Sequence, residues 1–189
     1  TRLGPHQITK MGIARTFQNI LLFDKLSAHE NVMIGRHCRT ESNILADILR
    51  TPKMRSEEKR CSEKALEYIE FVGLKDKAFA DAASLPYGQK RLLEIARALA
   101  CEPTLLILDE PAAGMNTAES MELINIIYKI RDAGITVLLV EHNMKVAMGI
   151  SDNVIVLDHG VKIAEGPPDE VKNNPQVIEA YLGKGGSQE

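Results

Sequence analysis

The feature of this sequence that most constrains its fold is a short apolar run that ends in two adjacent carboxylates. Residues Thr104 to Leu108 are followed directly by Asp109, Glu110 and Pro111. A continuous apolar run of this length is typical of a strand that is buried on both faces of a parallel sheet. In open α/β sheets, ligands bind in the crevice beyond the carboxyl ends of the strands. The sequence therefore predicts an α/β fold with two acidic side chains at its binding crevice.

The two carboxylates suit different tasks because consecutive residues of a strand point in different directions. One of them, Asp109 or Glu110, can hold Mg²⁺ directly or through water, and the other can polarise an attacking water. The same pair, taken alone, also fits a solvated strand end or a helix N-cap, and these are the commoner cases.

A second apolar run lies downstream and also leads into polar residues. Thr136 to Val140 predicts a second buried strand, followed by His142. A neutral imidazole at this position can donate to a phosphate oxygen, although a surface or capping histidine fits equally well. Between the two runs, Ser120 to Arg131 has helical spacing and Gly134 ends the helix; its predicted apolar face is Leu123, Ile124, Ile127 and Ile130. Strand, helix and strand with short links indicate a parallel sheet.

The C-terminal part has the pattern of a hairpin followed by short helices. Val154 to Leu157 and Val161 to Ala164 predict the two strands of the hairpin. Asp169 to Asn173 and Pro175 to Leu182 suggest closing helices, and Gly183 to Glu189 is predicted to be a frayed tail.

The stretch before the first run is predicted to be helical. Ser27 and Glu30 have the spacing of a capping box, and Ser42 to Arg50 fits a short helix. A longer helix is predicted from Ser56, and Gly73 closes it. Its apolar positions are Cys61, Ala65, Ile69 and Val72.

Within Leu85 to Ala100, the residues Pro86, Tyr87, Gly88 and Gln89 precede a predicted helix. Its predicted apolar face includes Leu92, Ile95, Ala96 and Leu99. Gly88 lets the backbone approach a ligand closely, and free N–H groups at a helix start favour an anion. Lys90 and Arg91 oppose the helix dipole in the first turn, which suggests either a functional role or a solvated charged face.

Composition excludes several classes of function. The net charge of −3 provides no basic excess for a nucleic-acid partner. Cys38, Cys61 and Cys101 match no zinc or disulfide spacing, so reduced thiols are expected. Neither a membrane-spanning run nor a signal segment is found in the sequence, so we expect any membrane association to come through a partner.

Four motifs in a fixed order carry more weight than any single residue. They are Arg15-Thr16-Phe17-Gln18, Leu85-Pro86-Tyr87-Gly88-Gln89, Leu105-Leu106-Ile107-Leu108-Asp109-Glu110 and Val140-Glu141-His142. This order resembles the glutamine loop, signature, Walker B strand and switch histidine of ABC ATPases. The implied fold is a P-loop NTPase-like parallel sheet, incomplete here, with an inserted α-helical subdomain.

Three longer segments narrow the resemblance to the ATP-binding subunits of branched-chain amino acid importers. They are residues 12–19, 141–152 and 177–183. This family implies ATP and Mg²⁺ as ligands, a second ATP-binding subunit, two transmembrane permease subunits and, indirectly, a substrate-binding protein. It also implies a peripheral location on the cytoplasmic face of a bacterial or archaeal membrane.

The resemblance assigns roles residue by residue. Gln18 would sense Mg²⁺ and the attacking water, Asp109 would bind Mg²⁺, Glu110 would be the general base and His142 the phosphate switch. Signature residues 85–89 would face the ATP of the other subunit. Asn116, with Gly114 and Met115, would form the D-loop across the dimer.

Three departures from the general ABC pattern stand out. Pro86 replaces a serine and so lacks both a hydroxyl and an N–H, and Asn116 replaces an aspartate; the importer family tolerates both changes. No G-x-x-x-x-G-K-[ST] stretch occurs in the sequence. We therefore expect this polypeptide alone neither to bind ATP tightly nor to hydrolyse it. We also expect unpaired sheet edges and uncovered apolar surface, and so a poorly soluble, oligomeric or domain-swapped protein.

The resemblance divides the chain into three parts: residues 1–26 as the end of the core with the glutamine loop, 27–100 as the helical subdomain, and 101–189 as the α/β core. Two other functions remain open. A DNA-repair or translation ATPase would need long coiled coils or tandem cassettes, which the sequence lacks. The second of these functions is a truncated, non-hydrolysing module that binds a permease or another ATPase subunit.

Overall fold

The computed structural model describes residues 3–39 and 52–182, so the predicted helix Ser42 to Arg50 and the predicted tail Gly183 to Glu189 lie outside the described residues. The chain divides into two compact units, Thr1–Val140 and Glu141–Glu189. The predicted boundaries at residues 26/27 and 100/101 fall within the first unit and stay predictions.

The first unit contains a parallel sheet of three strands, as predicted. The strands are β1 (Ile13–Arg15), β2 (Leu105–Asp109) and β3 (Thr136–Val140), in the order β1-β2-β3. Arg15 pairs with Ile107, and Asp109 pairs with Val140. The central strand β2 has Leu106 and Leu108 fully buried. All three carboxyl ends therefore lie at the same edge of the sheet.

The prediction that Thr136 to Val140 is a buried strand is wrong. Leu138 is 50% exposed and Val140 is 49% exposed, whereas the alternate residues are half-buried. Within the described residues, β3 is an edge strand, and helix α5 (Thr117–Asp132) contacts it. An apolar run thus predicts a strand, but the burial of its side chains depends on which other elements cover each face of the sheet.

Helix α5 is longer than its sequence pattern indicated. It begins three residues earlier than Ser120, because Asn116 caps it with a capping box that Glu119 completes. The residues buried on its inner face are Leu123, Ile126, Ile127 and Ile130. Ile126 was missed, and Ile124 is only half-buried.

Three mutually packed helices make up the helical part of the first unit. They are α2 (Ala28–Arg36), α3 (Pro52–Phe71) and α4 (Tyr87–Leu99). The capping box of Ser27 and Glu30 is confirmed. Helix α3 begins at Pro52 rather than Ser56, since proline is well accommodated in the first helical turn. The predicted core positions Cys61, Ala65, Ile69, Val72, Leu92, Ile95, Ala96 and Leu99 are all buried.

Short elements complete the first unit. They are helix α1 (Pro5–Lys10) and the 3₁₀ turns His37–Arg39, Lys75–Lys77 and Ala82–Ser84.

The second unit contains the predicted hairpin. Its elements are α6 (Met144–Ile150), β4 (Val154–Asp158), β5 (Val161–Gly166), α7 (Pro168–Val171) and α8 (Pro175–Leu182). Strands β4 and β5 are antiparallel and join through His159 and Gly160, which have φ values of 47° and 80°. Two positive φ angles are typical of a two-residue hairpin turn. In the described parts of both units, no helix combines the length and apolarity needed to cross a bilayer.

Candidate functional site

The site begins where strand β2 ends. Asp109 is the last residue of β2, and Glu110 adopts a left-handed backbone with φ of 44°. The Glu110 N–H still donates to the Val140 carbonyl at 2.9 Å, so the sheet holds this residue in place. A left-handed conformation at a non-glycine residue costs about 1–3 kcal/mol and is often found at functional sites. The turn sends the two carboxylates to different partners.

Asp109 is paired with a cation from the neighbouring strand. The Arg15 guanidinium, at the end of β1, donates to Asp109 Oδ2 at 2.8 Å. Sequence reasoning included Arg15 in a motif but gave it no role. The parallel register indicates this contact, because Arg15 pairs with Ile107, two residues before Asp109 on the neighbouring strand. A long side chain at Arg15 can reach Asp109 from there.

Glu110 is paired with the predicted glutamine. Gln18 Nε2 donates to Glu110 Oε2 at 2.9 Å, although the two residues are distant in the sequence. Gln18 lies three residues beyond Arg15, the last residue of β1, in an exposed loop. The structure thus brings Gln18, Asp109 and Glu110 to the same edge of the sheet.

The signature and D-loop candidates also meet within the first unit. Pro86 is the N-cap residue of α4, and the Tyr87 ring lies against Gly114, where an added Cβ would come within 3.2 Å of it. An added Cβ on Gly88 would lie 2.7 Å from Glu119 Oε1. Glu119 is held by Asn116, whose backbone N–H donates to Glu119 Oε2 at 2.9 Å.

A side chain at Gly88 would therefore be crowded by the Glu119 side chain inside the chain. The predicted residues Leu85 and Gln89 lie beside it. Leu85 is buried, and Gln89 Oε1 is a buried acceptor without a hydrogen-bond partner among the described residues.

Arg91 is not part of a solvated charged face. It is fully buried in the first unit, where Nη1 and Nη2 donate to the carbonyls of Phe17 and Gln18. Sequence reasoning considered both roles for Arg91, and its burial excludes the solvated one. Helical spacing offered a signal, since Arg91 lies on the same side of α4 as the buried Ile95.

His142 belongs to the second unit. It is exposed and immediately precedes Asn143, the N-cap of α6, whose Oδ1 accepts from the Lys145 N–H at 3.1 Å.

Comparison with protein families matches these elements. The family model described as "ABC transporter" matches residues 3–113, which include Gln18, the signature candidates and both carboxylates. The model described as "Branched-chain amino acid ATP-binding cassette transporter" matches residues 161–187. The chain belongs to the ABC transporter family.

Relatives of this ABC protein agree on the subgroup. It is 43% identical over 183 residues to the high-affinity branched-chain amino acid transport ATP-binding protein BraF of Pseudomonas aeruginosa, covering 96% of this chain and 72% of BraF. It is 41% identical over 183 residues to LivG of Escherichia coli, which carries the same description, with the same coverage. The chain thus belongs with the ATP-binding subunits of the branched-chain amino acid transporter family.

Solved structures show the same fold. An ATP-binding cassette of an ABC transporter in its ADP conformation is 30% identical, with a TM-score of 0.78 over 97% of this chain and 73% of that one. A nucleotide-free ATP-binding cassette from an ABC transporter has a TM-score of 0.79 at 30% identity, over 97% and 74% of the two chains. The α/β architecture with a parallel sheet is therefore confirmed.

The acidic side chains at the carboxyl edge of the sheet are few. Within residues 3–39 and 52–182, no cluster of three or more His, Cys, Asp or Glu side chains could hold a metal ion. Mg²⁺ commonly takes one or two carboxylates and fills its shell with waters and substrate phosphates. Asp109 already accepts a cation, the Arg15 guanidinium, so its Oδ2 is positioned for a positive charge.

Proposed function

We propose that this chain hydrolyses ATP as the energising subunit of an importer for branched-chain amino acids. The observation that carries the proposal is the contact between Gln18 and Glu110 beside Asp109, at the carboxyl edge of a parallel sheet. Identity of 43% to BraF, a branched-chain amino acid transport ATP-binding protein, supports the substrate class.

The three side chains at this edge, and separately His142 of the second unit, each have one role in the proposed reaction. Glu110 takes the proton of the attacking water as general base. Gln18, hydrogen-bonded to Glu110 at 2.9 Å, orients that water and contributes to the metal shell. Asp109 binds the Mg²⁺ that accompanies ATP, which supplies charge neutralisation at the phosphates. His142 is the switch that responds to the terminal phosphate.

The second half of the site serves ATP held by another subunit. The N-terminus of α4 favours an anion, because it has free N–H groups and the positive end of the helix dipole. The residues at and around this N-terminus are Leu85, Pro86, Tyr87, Gly88 and Gln89. Pro86 lacks an N–H, so the donors begin with Tyr87. Asn116 is held rigidly by Glu119 at the neighbouring loop, which suits a residue that reaches across a dimer.

The partners follow from this arrangement. We propose a second ATP-binding subunit, two transmembrane permease subunits and a substrate-binding protein, with this chain peripheral on the cytoplasmic face of the membrane. We propose that a permease subunit contacts the cleft of about 420 Å³ beside Gln18, which is lined by Ile20, Leu22, Tyr87 and Lys90 among others. Phe23, half exposed nearby in sequence, adds apolar surface to the same loop.

These 189 residues by themselves supply only part of an ATP site, because they contain no G-x-x-x-x-G-K-[ST] stretch to hold the phosphates. Titration calorimetry of the isolated chain with Mg-ATP should show no binding in the micromolar range. Micromolar binding would contradict this part of the proposal.

The enzymatic function is tested in a chimaera, defined as Escherichia coli LivG whose matched region is replaced by this chain. The chimaera should hydrolyse Mg-ATP, and Glu110→Gln should lower turnover by about 10²–10⁴-fold. A folded chimaera that binds Mg-ATP without hydrolysing it would instead favour a non-hydrolysing module that binds a permease or another ATPase subunit.

A further inference from the structure

Helix α4 contains an ion pair that is entirely removed from solvent. Arg91 is 0% exposed and Glu94, one turn further along the helix, is 2% exposed. Arg91 Nη1 donates to Glu94 Oε2 at 2.8 Å. Neither residue is among those assigned to the nucleotide.

Both members of the pair also form hydrogen bonds with the backbone of the loop that follows β1. Arg91 donates to the Phe17 carbonyl at 2.7 Å and to the Gln18 carbonyl at 2.7 Å. The backbone N–H of Leu21 donates to Glu94 Oε1 at 3.4 Å. The planar guanidinium can hold these acceptors in one fixed arrangement, which a lysine could not do.

Side-chain burial does little to hold this loop, because Phe17, Gln18 and Leu21 are all exposed. The buried pair is costly to desolvate, and an apolar pair of similar volume often gives equal or greater stability. Stability alone is therefore a weak explanation for two buried charges at this position. The contacts of Arg91 and Glu94 with the loop backbone provide a specific explanation.

We propose that Arg91 and Glu94 are positioning residues that fix Gln18 relative to the start of helix α4. Arg91 lies one turn after Tyr87, so the same rigid helix that carries the signature candidates holds the Gln18 carbonyl. A displacement at the signature end of α4 is then transmitted to the Gln18 amide and to its hydrogen bond with Glu110. This inference rests on the proposed function for the role of Gln18 in hydrolysis.

The decisive variant replaces both charges, Arg91→Met with Glu94→Leu, so that no unpaired charge is left buried. In the chimaera, ¹⁵N relaxation should show the Leu21 amide order parameter falling from about 0.85 to below about 0.6. The Phe23 N–H is an internal reference, because it is held independently by Asn31 Oδ1 at 2.9 Å and should stay ordered. The thermal midpoint should remain close to that of the original chain.

The matched control is an exposed ion pair with the same spacing on α3, Lys64→Met with Glu67→Leu. It should leave the order parameter of Leu21 unchanged. A folded Arg91→Met, Glu94→Leu variant with an ordered Leu21 would overturn the proposal. If that variant does not fold, Arg91→Lys takes its place, because it keeps the charge but loses the planar guanidinium. It should lower the order parameter of the Gln18 amide, which shares a peptide group with the Phe17 carbonyl that Arg91 holds.

A kinetic measurement separates this inference from the proposed function. In the chimaera, the Arg91→Met, Glu94→Leu variant should lower kcat about tenfold and leave KM for ATP within about twofold. An unchanged kcat would also overturn the positioning role. If the chimaera hydrolyses no ATP at all, the proposed function fails, whereas the order parameter of Leu21 still tests the positioning role.

Discussion

The Gln18 side-chain amide donates a 2.9 Å hydrogen bond to the Glu110 carboxylate, joining a loop after β1 to the turn after β2. Glu110 is held in a left-handed backbone conformation by its N–H bond to Val140. We propose that this hydrogen bond lets Gln18 position the water from which Glu110 takes a proton.

Glu110→Gln in the chimaera should reduce kcat for ATP hydrolysis by about 10²–10⁴-fold. The amide is isosteric and can still accept from Gln18, so Mg-ATP affinity and the thermal midpoint should not change. Steady-state hydrolysis together with calorimetry measures both quantities.

Two further variants make that result specific. Glu63→Gln, at an exposed position on α3, should leave turnover unaltered. Asp109→Asn should instead weaken Mg²⁺-dependent nucleotide binding, since its Oδ2 is the position that accepts a cation. Turnover near the original level in Glu110→Gln would remove Glu110 from the mechanism.

Gly88→Ala should destabilise the chain by about 1–3 kcal/mol, because the new methyl group would lie 2.7 Å from Glu119 Oε1. Moving Glu119 aside would break its capping box with Asn116. The double variant Gly88→Ala, Glu119→Ala should lose less unfolding free energy than the two single variants added together. The reason is that the alanine methyl group no longer meets the Glu119 side chain. Urea unfolding of the four proteins gives the coupling free energy.

Gly149→Ala is the control for helix propensity. It lies in α6, and an added Cβ there meets no atom within 4 Å. Without a clash, alanine should raise stability by up to about 1 kcal/mol. An equal gain at Gly88 would show that Glu119 does not restrict that position.

Phe23→Ala should uncouple transport from ATP hydrolysis while leaving the fold intact. The Phe23 side chain is 51% exposed, but its backbone N–H and carbonyl are both bonded to the Asn31 side chain. In membrane vesicles containing the assembled transporter, uptake should fall at least about tenfold with ATPase activity within about twofold. Phe79→Ala, at 75% exposure, is the matched control and should affect neither. A large fall in thermal midpoint for Phe23→Ala would instead assign Phe23 to the core.

Stability should decline in alkali because of Cys101. Burial, with a smaller contribution from the neighbouring Cys38, raises the pKa of the Cys101 thiol to about 12. Between about pH 9 and pH 12 the unfolded chain has lost this proton and the folded chain retains it. Stability therefore falls as pH rises, by at most about 1.4 kcal/mol per pH unit from this one group.

The variant Cys101→Ala isolates that effect. Its unfolding free energy in urea, measured from pH 8.5 upward, should fall less steeply with pH than that of the original chain. Parallel slopes for the two proteins would show that Cys101 does not titrate differently on folding.

The sequence predicted strands, helices and site chemistry where local signals were strong. The apolar run before Asp109, the capping box of Ser27 and Glu30, and the hairpin turn at His159 and Gly160 all depend on neighbouring residues. Helix ends were less accurate: α3 begins before Ser56 and α5 begins before Ser120. Proline and asparagine near a helix start fit a loop as readily as a first turn.

The sequence by itself determined the order of the elements and the residue types at the carboxyl edge of the sheet, because periodicity and motif spacing are local properties of the chain. Only the tertiary structure decided that Arg15 pairs with Asp109, that Arg91 is buried, and that β3 has an exposed face. Those outcomes depend on contacts between residues far apart in the chain, and a side chain's burial is set by what packs over it, which its own local pattern does not specify.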